Sequence, residues 1–95
     1  MNLNWTDAAL SDLRAIETYM TRRSRQYATS LIDRIFTHCG VLVDHPFLGA
    51  IVPEFEDETL RELFEYPYRI VYRILDEQVD IVAVVHAARR LPRGL

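Results

Sequence analysis

The sequence contains no lysine; its 11 basic residues are all arginine. Arginine presents a planar fork of donors matched to carboxylate and phosphate, so these groups read as contact residues as well as solubilising ones. Cysteine is nearly absent. Cys39 stands alone, which excludes an internal disulfide and fits a reducing cytoplasm. The longest apolar run, Ile81 to Val85, falls far short of the roughly 20 residues that cross a bilayer. The opening Met-Asn-Leu-Asn-Trp has no basic stretch followed by an apolar one, so no secretory signal is expected. Broad positive charge is also missing. A net charge of −3 argues against a wide basic face for nucleic acid, leaving only local patches. His38, His45 and His86 lack any metal-ligand spacing, so neither a metal nor another cofactor is expected.

What is present suits one globular domain covering residues 1–95, with 49% hydrophobic and 26% charged residues. Charge is unevenly placed. Glu54, Glu56, Asp57, Glu58, Glu62 and Glu65 face only Arg61 in residues 54–65, whereas Arg89, Arg90 and Arg93 close the chain without an acid. The plainest account of the acidic block is a solvated loop.

Periodicity supplies the elements. Leu3 and Trp5 alternate with Asn2 and Asn4, as in a short strand. Thr6 is placed to cap a helix over about residues 7–21, with Asp7 in its first turn and Ala9, Leu13, Ile16 and Met20 along one face. Ser24 caps a second helix over about 25–44, carrying Tyr27, Leu31, Ile35, Cys39 and Leu42; Pro46 ends it. Residues 47–59 read as loop. Leu60–Glu65 reads as a strand, Tyr66-Pro67 as a turn, Tyr68–Leu75 as an alternating strand, and Val79–Ala87 as a central strand apolar on both faces. The fold class is therefore α+β. An N-terminal strand precedes an antiparallel helical hairpin packed on one face of a small, mainly antiparallel sheet, in the order β-α-α-β-β-β.

Register refines this. Pairing Leu75 with Asp80 sets Ile74 opposite Ile81, Tyr72 opposite Ala83 and Ile70 opposite Val85, all toward the helices. Arg69 then lies opposite His86, and Arg69, Arg73 and His86 share the far face.

Several motifs resemble the ParE branch of the RelE/ParE toxin superfamily. They are Trp5-x-x-x-Ala9-x-x-Asp12-Leu13-x-x-Ile16-x-x-Tyr19, Pro46-x-x-Gly49, Arg61-Glu-Leu63, Tyr68-Arg-Ile-Val-Tyr-Arg73 and His86-x-x-Arg89-x-x-Pro92. The resemblance spans nearly the whole chain. It implies a type II toxin that arrests growth, neutralised by an antitoxin with a ribbon-helix-helix DNA-binding part and a wrapping tail. ParE members are held to poison DNA gyrase; RelE members cut messenger RNA on the ribosome.

RNA cleavage needs a base for the 2′ proton, an acid for the leaving oxygen, and cations around the phosphate. RelE-type toxins draw on lysines, arginines and a tyrosine, or on Glu, His and Tyr, near the end of the sheet. Here lysine is absent and no tyrosine follows Tyr72. His86, Arg69 and Arg73 are what an RNase would have to use, with Glu54 and Glu65 as candidate partners. The favoured expectation is a non-enzymatic gyrase inhibitor bound by a ParD-like antitoxin, meeting DNA only through that antitoxin. Its recognition surface would comprise Arg61, Arg69, Arg73, His86, Arg89, Arg90 and Arg93. Tyr27, Leu31 and the open side of the first helix are alternative docking points. Plainer roles exist for each: Arg61 as an ion-pair partner of Glu62 or its neighbours, Arg69 and Arg73 as solubilisers, His86 as a sheet residue beside Arg69, and Cys39 as core. A non-toxic interaction module is the remaining alternative.

Overall fold

The computed structural model describes residues 1–92. Along the chain run strand β1 (Asn2–Trp5), helix α1 (Asp7–Thr21), helix α2 (Arg25–Gly40), a 3-10 turn (Val41–Val43), and strands β2 (Ala50–Ile51), β3 (Leu60–Glu65), β4 (Tyr68–Ile74) and β5 (Gln78–His86). Both helices start where their caps lie. The Thr6 hydroxyl accepts from the Ala9 N–H at 3.2 Å and donates to the Ile81 carbonyl at 2.8 Å, tying α1 to β5. The Ser24 hydroxyl accepts from the Tyr27 N–H at 3.1 Å. The second helix was expected to reach about Asp44. Its α-helical part instead ends at Gly40 and tightens into the 3-10 turn, where the Asp44 N–H donates to the Val41 carbonyl. Among the described residues no helix is long and apolar enough to cross a membrane.

The sheet has the order β1-β5-β4-β3-β2; β1 runs parallel to β5 and the other pairs are antiparallel. Strand β2 lies within the stretch expected to be loop. Two residues at a sheet edge carry too little alternation to be seen in sequence. The helical hairpin covers one face. Ala9, Leu13, Ile16 and Met20 of α1 and Ala28, Leu31, Ile35 and Cys39 of α2 pack on Leu63, Tyr68, Ile70, Tyr72, Ile74, Val79, Ile81 and Val84. Full burial of each large aliphatic side chain here contributes about 1.5–3 kcal/mol. Burial also pushes the Cys39 thiol up to about 12, so it is an inert core residue.

The opposite face is not open. Val52, Leu60, Val71, Ala83 and Leu91 form a second apolar cluster there, with Phe55, Val82 and Val85 packed against it. The loop before β3 and the segment after β5 cover it.

The expected pairing of β4 with β5 is corrected twice. A tighter turn, with Leu75 bonded to Gln78 and not paired with Asp80, slides Ile74 from Ile81 to Val79 without changing faces. A bulge then shifts the register by one residue. Ile74 pairs with Val79 and Tyr72 with Ile81, but Val71 pairs with Ala83, leaving Val82 as an extra residue. Val82 and Ala83 consequently both join the outer side, and everything after them changes face. Val84 packs toward the helices and Ala83 away, the reverse of the expected arrangement. His86 pairs with Tyr68, not Arg69, and its ring meets the Tyr68 ring edge-on at 5.9 Å. Arg69 and Arg73 do share the outer face; His86 leaves it. An uninterrupted run of β-branched and small residues gives no cue to which residue will bulge.

Tyr72 crosses the helix-side core to fasten the chain between the 3-10 turn and β2. Its hydroxyl donates to the Pro46 carbonyl at 2.7 Å and accepts from the Gly49 N–H at 2.9 Å. Gly49 is required by proximity: an added Cβ would lie 2.5 Å from the Glu62 carbonyl oxygen and 2.7 Å from that hydroxyl. Gly49→Ala should therefore lower stability in denaturant unfolding by about 1–3 kcal/mol, the usual range for overpacking.

Candidate functional site

Strand alternation and a short turn assemble the outer-face charges. The turn at Tyr66-Pro67, which has a cis peptide bond, sets Glu65 opposite Tyr68, Phe64 opposite Arg69 and Glu62 opposite Val71. Glu62 and Arg69 are thus diagonal neighbours on one face. The Arg69 Nε–H donates to Glu62 Oε1 at 2.6 Å. Its two terminal nitrogens grip Glu54 in a fork, Nη1 to Oε2 and Nη2 to Oε1, each at 2.8 Å. Nη1 also donates to the Arg89 carbonyl at 3.2 Å. These side chains are 6% (Arg69), 6% (Glu62) and 15% (Glu54) exposed, so the trio is an internal ion cluster. The Arg69 hydrogen bond, with help from the Leu91 N–H, holds the Glu54 carboxyl down to about 2, and the two carboxylates raise Arg69 further.

The other expected recognition arginines are also engaged. Arg61 forms no ion pair with Glu62, because adjacent strand residues point to opposite faces. Its Nε donates to the Glu58 carbonyl at 2.9 Å, Nη1 donates to the Gly49 carbonyl at 3.0 Å, and the guanidinium sits 5.0 Å from the Phe47 ring centre. Arg73 donates to Asp57 Oδ2 at 3.0 Å. Hydrogen bonds from Thr59, then Arg73, lower the Asp57 carboxyl below its ordinary value. Glu65, a candidate catalytic partner, instead meets Arg34 and His38 of α2, each at 3.2 Å.

Three expected recognition residues lie at the surface. Arg89 and Arg90 are exposed beside a cleft lined by Pro53, Glu54, Phe64, Arg69 and Ala88. His86 borders a different groove, between α1 and β5, with Asp12, Tyr19, Tyr68 and Arg89. The His86 Nδ1 accepts from the Ala88 N–H at 3.1 Å, so the neutral ring carries its proton on Nε2. Arg93 lies outside the described residues. On the hairpin, Leu31 is wholly core while Tyr19, Tyr27 and Phe36 are exposed. Sequence reasoning missed the exposed aromatics at the β3–β4 tip, Phe64 at 53% and Tyr66 at 84% exposure. The alternation of Leu60, Glu62 and Phe64 opposite Leu63 was the available signal for Phe64.

This architecture, a helical hairpin on a five-stranded mixed sheet, defines a class of small toxins. The family described as "ParE toxin of type II toxin-antitoxin system, parDE" matches residues 3–91, and the chain belongs to it. "Toxin RelE2" of Caulobacter vibrioides is 38% identical over 86 residues, covering 90% of this chain and 93% of that protein. "Putative toxin Y4kP" of Sinorhizobium fredii is 32% identical over 95 residues, covering 98% and 95%. The solved structure titled "Chromosomal ParDE TA system from P. aeruginosa" superposes with a TM-score of 0.73 at 25% identity, covering 90% of this chain and 95% of that one. These names mix RelE and ParE, so they do not choose between ribosome and gyrase.

Two predictions follow from the ion cluster. Arg69→Ala leaves two carboxylates buried without a cation and should cost about 3–5 kcal/mol in chemical unfolding, whereas Arg89→Ala should stay within about 0.5 kcal/mol. Because the folded Glu54 carboxyl titrates lower than a free one, its contribution is complete above the ordinary glutamate value of 4.5 and disappears as pH falls toward about 2. Between those pH values Glu54→Gln should show a flatter stability profile than the parent, measured by urea unfolding across the range.

Proposed function

We propose that this chain is a toxin that inhibits DNA gyrase by binding, and that a ParD-like antitoxin holds it inactive. Membership in the ParE family supports the toxin assignment. The likeness to a ParDE system supports an antitoxin of the ParD kind. The observation that carries binding over RNA cleavage is the separation of the candidate acid–base and phosphate groups. Arg69 is committed to Glu54, Glu62 and the Arg89 carbonyl; Arg73 is bonded to Asp57; and His86 borders the groove on the helix side. Cleavage would require an acid, a base and a cation within hydrogen-bond reach of one phosphate. The contact surface for gyrase or antitoxin then centres on Arg89 and Arg90, with His86 at its border. Acidic residues of the antitoxin tail would meet these arginines, and such a tail orders on binding. A gyrase target also places the protein in the cytoplasm.

A second reading has one observation in its favour. His86, Arg89, Tyr19 and Tyr68 line one groove, and the groove would be where a RelE-like cleavage of ribosome-bound messenger RNA took place. Purified toxin freed of antitoxin separates the two. Inhibition of gyrase supercoiling without cleavage of ribosome-bound RNA is expected; cleavage with gyrase unaffected would reverse the assignment. Expression that arrests growth, relieved by the antitoxin, distinguishes a toxin from a non-toxic interaction module. Replacing Arg89 and Arg90 by alanine should weaken antitoxin binding by about 1–3 kcal/mol per lost charged contact, read by calorimetry.

A further inference from the structure

Residues 87–91 belong to no helix or strand, yet their backbone is held at intervals. The Ala87 N–H donates to the Pro67 carbonyl at 2.8 Å and the Arg89 N–H to the His86 carbonyl at 2.9 Å. Beyond that point the polar anchors shown are both members of the buried ion cluster. Arg69 donates to the Arg89 carbonyl, and Glu54 Oε2 accepts from the Leu91 N–H at 3.1 Å. The Leu91 side chain then inserts among Val52, Leu60, Val71 and Ala83. Arg89 and Arg90, lying between these anchors, remain exposed.

Two carboxylates and one guanidinium are an expensive way to fill this space. Taking three such groups from water sets a desolvation penalty against their attraction, and apolar side chains of like volume commonly serve stability as well. An apolar trio could not supply what the ionic one has to spare. The cluster has one more anion than cation, and a carboxylate offers more acceptor sites than Arg69 uses. The Leu91 N–H takes one of them. Arg69, after gripping both acids, still has an N–H for the Arg89 carbonyl.

We infer that Glu54 and Arg69 are positioning residues whose ion cluster latches residues 87–91 to the sheet and so presents Arg89 and Arg90 to a protein partner. The presentation clause rests on the toxin reading; the latch does not. Arg69 itself touches no partner, and it acts through the backbone it holds.

Glu54→Gln in the full chain is the test. Glutamine keeps the shape and leaves the Arg69–Glu62 pair, but removes the charge that holds the Leu91 N–H. Amide exchange at Leu91 should become roughly tenfold faster or more, as expected when a charge-assisted hydrogen bond is weakened, while the Tyr72 and Ile81 amides stay unchanged. Trypsin should cut after Arg89 or Arg90 sooner, and growth arrest at matched expression should be weaker than with the parent. An unchanged Leu91 amide overturns the latch. A loosened Leu91 with arrest as strong as the parent's overturns its role in presentation. A parent that arrests nothing defeats the toxin reading instead, and the exchange comparison still decides the latch. Should Glu54→Gln unfold the chain, Glu54→Asp carries the same comparison, because it keeps the charge and withdraws it by one methylene.

Discussion

The forked bond between Arg69 and Glu54, closed on its other side by Glu62, is the interaction on which the outer half of the molecule depends. It joins the loop before β3, strands β3 and β4, and the segment after β5. Lysine could not replace arginine at this position. An ammonium is a point charge, whereas the guanidinium fork holds one carboxylate in two parallel bonds while its Nε reaches a second. The arginine-only composition first suggested contact with a partner. At positions 61, 69 and 73 that contact is made within the chain itself.

The sheet consequently carries two layers. The helical hairpin packs on one face in the manner that its 3.6-residue periodicity dictates. A thin layer of loop and C-terminal segment covers the other, held partly by Leu60, Val71, Ala83 and Leu91 and partly by the ion cluster. The bulge at Val82 decides what each layer displays. Without it, strict alternation would put His86 on the same face as Arg69, two residues further along β5 than Arg69's partner. With it, His86 faces the α1 groove, and the outer face keeps only arginines that are already bonded. This geometry separates His86 from Arg69 and Arg73, and leaves Arg89 and Arg90 exposed.

Much of the fold was legible because its determinants are local. Thr6 and Ser24 mark helix starts, the apolar stripes mark helix faces, and Tyr66-Pro67 fixes the β3–β4 register. The faces of β4 were also readable, since a slip would bury Arg69 and Arg73 among the helices' core residues. What was hidden depends on non-local or weakly encoded features. Strand β5 is apolar on both faces, so its composition tolerates either side of the bulge. Strand β2 is too short to show alternation. Glu54 lies in a loop 15 residues before Arg69, across strand β3, with no spacing rule to link them. Glu62 was closer to reach, because the register of the tight hairpin places it diagonal to Arg69. The structural role weighed for Arg61, an ion pair with Glu62 or its neighbours, is met by the Glu58 and Gly49 carbonyls, because adjacency in a strand separates side chains.

A double-mutant cycle between Arg69→Met and Glu54→Gln, followed by denaturant unfolding, tests most directly whether this buried pair holds the outer layer. Strong coupling is expected, on the order of 2–3 kcal/mol, with the double variant more stable than the two single effects would sum to, because removing either partner strands the other. Additive effects, with a coupling energy near zero, would mean that the pair is incidental and that the apolar cluster alone secures the outer layer.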